Sequence, residues 1–160
     1  MANSSAGGTT MLGSADHLQL VLETTDSDSQ SRIGCDVVVV SEIAASLEAF
    51  GDKFLTRVFS ARELESCCGP MRDQQLAARF AGKEAVIKVL RPASDAALPL
   101  RTIEILRAEW GGCRVVLSGE ASALAAAQGI GDIAVSLSHE SLVAMGVAFA
   151  TGLPANRKRT

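Results

Sequence analysis

Three charged side chains lie in the middle of a largely apolar segment, RFAGKEAVIKVL, which begins at Arg79 and ends at Leu90. They are Lys83, Glu84 and Lys88, and burying a charge is unfavourable unless it is paired, bound to a metal ion or directed at a ligand. The simplest alternative is a Glu84–Lys88 pair on a solvated helix face, which would add only about 0.3 kcal/mol of stability. The segment is therefore either a surface helix or part of a site that handles charge.

A charged residue in an unusual position also occurs outside this segment, at Asp36. It follows Gly34 in IGCDVV, at the start of an apolar run rich in β-branched residues, where an acidic residue is uncommon. It could lie at an exposed strand end or cap a helix. It could also approach Glu84, since Mg²⁺ is commonly held by one or two carboxylates together with substrate phosphates and water. Lysines beside such a site would balance phosphate charge, so these residues raise the hypothesis of Mg²⁺-dependent phosphate chemistry.

A long helix, DQQLAARFAGKEAVIKVL, must position three of these four charges. At about 100° per residue, Leu76, Phe80, Ile87 and Leu90 fall on one face. Lys83 lands inside that apolar stripe, and its stem could extend outward to bring the ammonium into solvent. The predicted helix ends before the loop that contains Pro92 and Pro99.

The remaining elements are predicted from end signals and periodicity. Before the long helix we expect a buried strand, RIGCDVVVV, and a helix that begins with Ser41 as N-cap and ends at Gly51. KFLTRVF continues as a short helix, and Ser60 with Glu63 forms a capping-box pattern at the start of SARELESCC. Gly69 and Pro70 then break the chain.

After the long helix, TIEILRAE, CRVVLSG, IAVSLSH and LVAMGVAFA indicate four strands. The helix EASALAAAQ lies between the second and third of them and stops at Gly129, and the segments WGG and HES suit hairpin turns. Helices followed by antiparallel strands predict an α+β domain, with an antiparallel sheet packed against helices that include one long helix.

Composition limits the function classes. The 160 residues suffice for one domain, and 48% are hydrophobic. A net charge of −3 gives no electrostatic basis for nucleic-acid binding. No apolar run approaches the roughly 18–20 residues of a membrane helix, and no signal-peptide pattern is present, so a cytoplasmic protein is expected.

Cysteine and histidine usage also argues against a zinc site. The four cysteines include no C-x-x-C pair and are expected to be free thiols, and only two histidines are present. Residues 1–30, rich in Ser, Thr, Gly and Asp, are predicted to form a disordered extension in which HLQLVLE could be a short strand. Residues 31–153 would form the domain, and residues 154–160 a basic tail.

Four segments together carry a family resemblance. IGCDVV, FLTRVFSARELESC, LAARFAGKEAVIKVL and VSLSHE, in this order and spacing, resemble the holo-acyl-carrier-protein synthases, the small phosphopantetheinyl transferases. The resemblance covers residues 32–150 and implies the 4′-phosphopantetheinyl transferase fold, usually a homotrimer with active sites between subunits. It also implies a Mg²⁺-dependent enzyme that transfers the 4′-phosphopantetheine group from coenzyme A to a serine of an apo acyl carrier protein, releasing adenosine 3′,5′-bisphosphate. The carrier could serve fatty-acid or polyketide synthesis.

The resemblance implies roles for individual residues. Asp36 and Glu84 match the two family residues that bind the metal, and Glu84, or a metal-bound water beside it, is the candidate base for the carrier serine. Lys88 matches a lysine that contacts phosphate and would stabilise the leaving group. Arg79 and His139 match positions that contact the 3′-phosphate of coenzyme A.

Ser138 and Lys83 are also assigned to coenzyme A binding, together with Arg79, Lys88 and His139. Ser138 precedes His139 in the VSLSHE motif. Lys83 either lines the same phosphate region or has a packing role, and the sequence does not separate these.

Departures from the family pattern concern specificity. Cys35 replaces the usual Ile or Val, and RPASDAALPL lacks the glycine common after the long helix. Glu42 falls where many members have an arginine that meets the carrier's acidic helix, although Arg57 and Arg62 are nearby. The extension of about 30 residues before the first motif is also longer than usual.

Two alternatives belong to other classes. A non-catalytic carrier-binding or assembly subunit with the same fold would be expected to lose a metal ligand, whereas both carboxylates are present. An unrelated Mg²⁺-dependent nucleotide hydrolase is disfavoured because the sequence has no G-x-x-x-x-G-K-[ST] loop.

Overall fold

The computed structural model describes residues 31–93 and 97–152, and these form five strands, five α-helices and a short 3-10 helix at Leu100–Thr102. The elements are, in chain order, β1 (Arg32–Val39), α1 (Val40–Phe50), α2 (Asp52–Val58), α3 (Ala61–Ser66), α4 (Arg72–Leu90), β2 (Ile103–Arg107), β3 (Cys113–Leu117), α5 (Gly119–Ala127), β4 (Ile130–His139) and β5 (Val143–Gly152). The predictions for residues 1–30, including the HLQLVLE strand, and for the basic tail at 154–160 lie outside the described residues.

The strands form two antiparallel groups. One sheet has the order β1-β5-β4, and β2 pairs with β3 in a separate hairpin. The central strand β5 pairs Gly146 with Asp36 on one side and with Leu137 on the other. The long helix α4 packs against this sheet, so the predicted α+β class with an antiparallel sheet and one long helix is confirmed.

Small residues let α4 approach the sheet closely. A Cβ atom added to Gly34 would collide with the backbone of Ala85, and one added to Gly146 would collide with the backbone of Gly82. Alanines 144, 148 and 150 of β5 are also buried. This close packing brings the Asp36 region of β1 directly beside α4, and the glycine of the IGCD segment is therefore a requirement of the site's construction.

The element boundaries confirm most of the end signals. Ser60 and Glu63 form the predicted capping box, and Gly51 ends α1 with a φ of 51°. The prediction of Ser41 as an N-cap is wrong, because α1 begins at Val40 with no side-chain cap. The strand β1 runs straight into the helix, and the amide of Val40 donates instead to the carbonyl of Leu142 in the β4–β5 turn, at 2.9 Å.

Other sequence predictions have mixed outcomes. Leu76 and Leu90 of the predicted apolar stripe are fully buried, whereas Phe80 and Ile87 are half-buried. The four cysteines are free thiols, as expected. Within the described ranges, no helix is both long and apolar enough to cross a membrane.

Candidate active site

The structure brings Asp36 of β1 together with Lys88 of α4. Lys88 Nζ donates to Asp36 Oδ1 at 2.8 Å and to the carbonyl oxygen of Cys35 at 2.6 Å. The sequence left open a Glu84–Lys88 pair on the helix surface. In the structure Lys88 instead forms an ion pair with Asp36, which links α4 to β1. Lys88 can reach Asp36, 52 positions away in the chain, because the close glycine contacts hold β1 against α4.

Glu84 completes a group of interacting charges. Burial, and then the negative charge of Asp36, raise the pKa of Glu84 above its usual range, while Lys88 opposes the shift. The hydrogen bond with Asp36 is the main cause of a raised pKa at Lys88. The carboxylates therefore repel one another, and a further cation between them would relieve that repulsion.

The donor set at this point fits Mg²⁺. Two carboxylates offer hard oxygen ligands, and Mg²⁺ usually takes one or two of these and completes its octahedron with phosphates and water. In the part of the chain that the structure describes, no group of three or more His, Cys, Asp and Glu residues could hold a metal. The site would therefore depend on substrate oxygens to complete the coordination.

Asp36 and Glu84 also share an open cavity of about 380 Å³. Helices α1 and α2 contribute to the opposite wall, which includes Glu42, Ile43, Ser46 and Phe54. The cavity gives a substrate access to both carboxylates at once. Glu42 belongs to the same wall, which the sequence alone did not indicate.

Arg79 lies near the N-terminal half of α4 and is almost completely buried, with 9% of its surface exposed. Its Nη2 donates to Ser66 Oγ at 2.8 Å and its Nη1 donates to the Gln75 carbonyl oxygen at 3.3 Å. Its Nε is buried and has no hydrogen-bond partner among the described residues, and the same is true of His139 Nδ1. Buried polar atoms are nearly always hydrogen-bonded. A bound ligand could therefore supply the missing hydrogen-bond partner of each of these two nitrogens.

The strand register places Arg79 and His139 at a similar level along α4. Gly146 lies against Gly82, and His139 pairs with Ala144, two residues earlier on β5. The strand β5 and α4 run in the same direction, and two strand residues span about 6.6 Å, close to the 6 Å or so of four helical residues. His139 therefore lies at the level of the turn that carries Arg79.

Lys83 belongs to the protein interior. Its ammonium is fully buried and donates to Glu63 Oε2 at 2.7 Å, the Leu100 carbonyl at 3.0 Å and the Ile103 carbonyl at 2.6 Å. Its stem does not extend outward to solvent, and burial lowers the pKa of Lys83 while Glu63 opposes that shift. Three acceptors use its three protons, which favours the packing role among the two that the sequence left open.

One face of the three-stranded sheet is apolar and exposed. Cross-strand neighbours there include Ile33 with Phe149 and Val37 with Met145, and all four side chains are exposed. Ser138 lies on this face beside Met145, whereas His139 points to the α4 side of β4. Within this chain, Ser138 is therefore separated from the other predicted site residues. We call this surface the open sheet face; on β1 and β5 it comprises Ile33, Cys35, Val37, Val39, Val143, Met145, Val147 and Phe149, and on β4 it includes Ser138.

Comparisons with known proteins match this architecture. Residues 32–138 match the family model of the 4′-phosphopantetheinyl transferase superfamily. The chain belongs to the holo-acyl-carrier-protein synthase family of this superfamily. It is 42% identical over 117 residues to the holo-[acyl-carrier-protein] synthase of Dehalococcoides mccartyi, covering 72% of this chain and 95% of that protein.

A second kind of relative is much larger. The fatty acid synthase subunit alpha of Schizosaccharomyces pombe is 37% identical over 131 residues, which cover 81% of this chain. The matched region spans only 7% of that relative's length. This chain is thus similar both to short synthases and to a small part of a large subunit.

Solved structures show the same fold. The ACPS–CoA complex of Chronobacterium ammoniagenes has a TM-score of 0.65 and 30% identity, covering 78% of this chain and 98% of that chain. Holo-ACP-synthase from Plasmodium yoelii has a TM-score of 0.66 and 28% identity, with the same coverage of each chain. The predicted family, fold and enzyme class, a phosphopantetheinyl transferase, are confirmed.

Proposed function

We propose that this chain transfers the 4′-phosphopantetheine group of coenzyme A to a serine of an apo acyl carrier protein, with Mg²⁺, and releases adenosine 3′,5′-bisphosphate. One observation carries the proposal: Asp36 and Glu84 line one open cavity, and Lys88 is bonded to Asp36 beside it. Such a group combines oxygen ligands for a divalent cation with a fixed positive charge for phosphate.

Each residue has a role in the transfer. Asp36 and Glu84 would hold Mg²⁺, which supplies positive charge to the pyrophosphate oxygens of coenzyme A. The serine oxygen forms a bond to the phosphorus that carries the pantetheine arm, and the bond to the nucleotide phosphate breaks. The serine proton passes to Glu84 or to a water beside it. Lys88 would stabilise the departing phosphate with its ammonium.

Arg79 and His139 are proposed to bind the 3′-phosphate. Each has a buried nitrogen without a hydrogen-bond partner in the described part of the chain, and by the strand register the two residues lie at one level of α4. An anionic phosphate oxygen would accept from Arg79 Nε, and from His139 Nδ1 when that nitrogen carries a proton.

The open sheet face supports a homotrimer. Its apolar side chains form a continuous patch, and such patches commonly mark association surfaces. We propose that further copies of this chain cover it. Sedimentation should give about three times the 16.6 kDa chain mass, and Phe149→Glu should give monomers. A wild-type protein that sediments as a monomer would contradict this part of the proposal.

Mass spectrometry tests the central reaction. Apo acyl carrier protein incubated with coenzyme A, Mg²⁺ and this chain should gain the mass of one phosphopantetheine group, and a carrier whose modified serine is replaced by alanine should gain none. Binding of carrier without a mass gain would favour the non-catalytic subunit. Release of nucleotide without carrier would favour the hydrolase.

A further inference from the structure

Helix α3 contacts α4 at two points with matched spacing. Glu63 and Ser66, three residues apart on α3, meet Lys83 and Arg79, four residues apart on α4. Residues at these spacings lie on one face of a helix. The two helices therefore face each other through two successive polar contacts, in opposite chain directions.

The first contact anchors α3. Both Glu63 and Lys83 are fully buried. Glu63 Oε2 also accepts from the Ser60 amide at 2.9 Å, and its Oε1 accepts from the Ile105 amide at 2.9 Å. Moving α3 would leave buried charges without partners, which is strongly unfavourable. The position of Ser66, one turn further along α3, is therefore well determined.

The second contact, between Ser66 and Arg79, does not use the Arg79 Nε–H group. Ser66 Oγ donates to the Glu63 carbonyl oxygen at 2.8 Å, so its lone pairs are free to accept from Arg79 Nη2. The Gln75 carbonyl accepts from Nη1. Two guanidinium nitrogens are thus held by the protein, while the buried Nε has no partner within residues 31–93 and 97–152.

We propose that Ser66 is a positioning residue that orients the Arg79 guanidinium so that its Nε–H is directed at the 3′-phosphate of coenzyme A. The inference rests on the proposed function, in which Arg79 contacts that phosphate. A guanidinium held in place before binding loses less conformational freedom when the ligand arrives. Ser66 acts only through Arg79, so its effect is confined to ligands that carry a 3′-phosphate.

The test compares two nucleotides that differ in this group. Calorimetric titration of the Mg²⁺-loaded protein with adenosine 3′,5′-bisphosphate and with AMP measures binding directly. Ser66→Ala should raise the Kd for adenosine 3′,5′-bisphosphate about five-fold, the effect of one hydrogen bond, and leave that for AMP within about two-fold. Ser66→Thr keeps the hydroxyl and should restore binding, since Ser66 is exposed and has room for a methyl group.

Thr56→Ala is the matched control. The Thr56 hydroxyl also donates to a carbonyl within its own helix, that of Asp52 at 2.7 Å, and should affect neither ligand. In the transfer assay, Ser66→Ala should raise KM for coenzyme A, leave KM for 3′-dephospho-coenzyme A unchanged, and leave kcat unchanged.

Two results would overturn the inference. Equal weakening of both nucleotides by Ser66→Ala would show general damage to α3, and no change in either would show that Arg79 needs no support. Arg79→Ala separates this from the proposed function. If it discriminates between the nucleotides and Ser66→Ala does not, only the positioning role fails. If Arg79→Ala does not discriminate, the assignment of Arg79 to the 3′-phosphate fails as well.

Discussion

Lys83 and Lys88 lie five residues apart on α4, yet their environments are opposite. The Lys83 side chain is 0% exposed and its three protons are used within the protein, whereas the Lys88 side chain is 50% exposed and pairs with Asp36. On the side of α3 and β2, the helix holds satisfied charges. On the side of β1, Glu84 of the helix and Asp36 of the strand are two repelling carboxylates at an open cavity. One helix thus combines a buried structural anchor with an accessible charged surface.

The largest expected effect is on the β1 side. Asp36→Ala or Glu84→Ala should lower the transfer rate by about a thousand-fold, because each removes a proposed Mg²⁺ ligand and charge stabilisation dominates phosphoryl transfer. Thermal unfolding should change little. Excess EDTA should silence the native enzyme, and added Mg²⁺ should restore it.

The matched control for this experiment is Glu48→Ala, which removes an exposed carboxylate from α1 outside the cavity. It should retain full activity. Transfer by both site variants within a few-fold of the native rate would contradict the assignment of the carboxylates.

The same substitution at Lys83 and at Lys88 tests whether the two sides of α4 differ in this way. Lys83→Met should lower the free energy of unfolding by about 3–5 kcal/mol, because it leaves the Glu63 carboxylate buried without its cation. Lys88→Met should leave stability almost unchanged, since that pair is exposed, and should lower transfer about ten-fold or more. Urea denaturation and the transfer assay measure the two effects. Similar losses of stability in both variants would show that the two sides of α4 do not differ as described.

The pKa of Glu84 leads to a smaller effect on stability. At pH values between the ordinary carboxyl pKa and the raised pKa of Glu84, the native protein binds more protons than the unfolded chain. The stabilising contribution of Glu84 is therefore complete at low pH and is lost as pH rises through the raised value. In EDTA, Glu84→Gln should be more stable than the native protein above this window, by under about 1 kcal/mol after solvent screening.

Below that window, the native protein and Glu84→Gln should unfold at the same urea concentration. Urea titrations over a pH series measure the difference. A variant that is less stable than the native protein at neutral pH would show that the Glu84 carboxylate is stabilised by its surroundings rather than repelled by Asp36.

The smallest expected effect concerns Glu42 on the wall of the same cavity. Glu42→Arg should raise kcat/KM for an acidic carrier about two- to five-fold at low ionic strength, because it replaces a repulsion with an attraction. The gain should shrink in high salt, where exposed charges are screened. A salt series for both proteins with one carrier measures this. An absence of any gain at low salt would mean that Glu42 does not face the carrier.

Local signals in the sequence were sufficient for much of this protein. The capping box at Ser60 and Glu63 and the stop at Gly51 depend on residues close in the chain, and both were predicted. The motifs also identified Asp36, Glu84 and Lys88 as a group, and the structure brings them together. The start of α1 was mispredicted because its first amide bonds to a distant turn.

Only the tertiary structure decided which partner each charge has. Lys83 and Lys88 are the same residue type on one helix, and the sequence could not tell that α3 and β2 cover one while β1 leaves the other exposed. Glu63 was predicted as a cap but not as the partner of Lys83, which lies 20 positions away. The side of a helix that another element covers depends on packing between distant segments. That packing sets the local dielectric environment and hence whether a charge is held in place or available to a ligand.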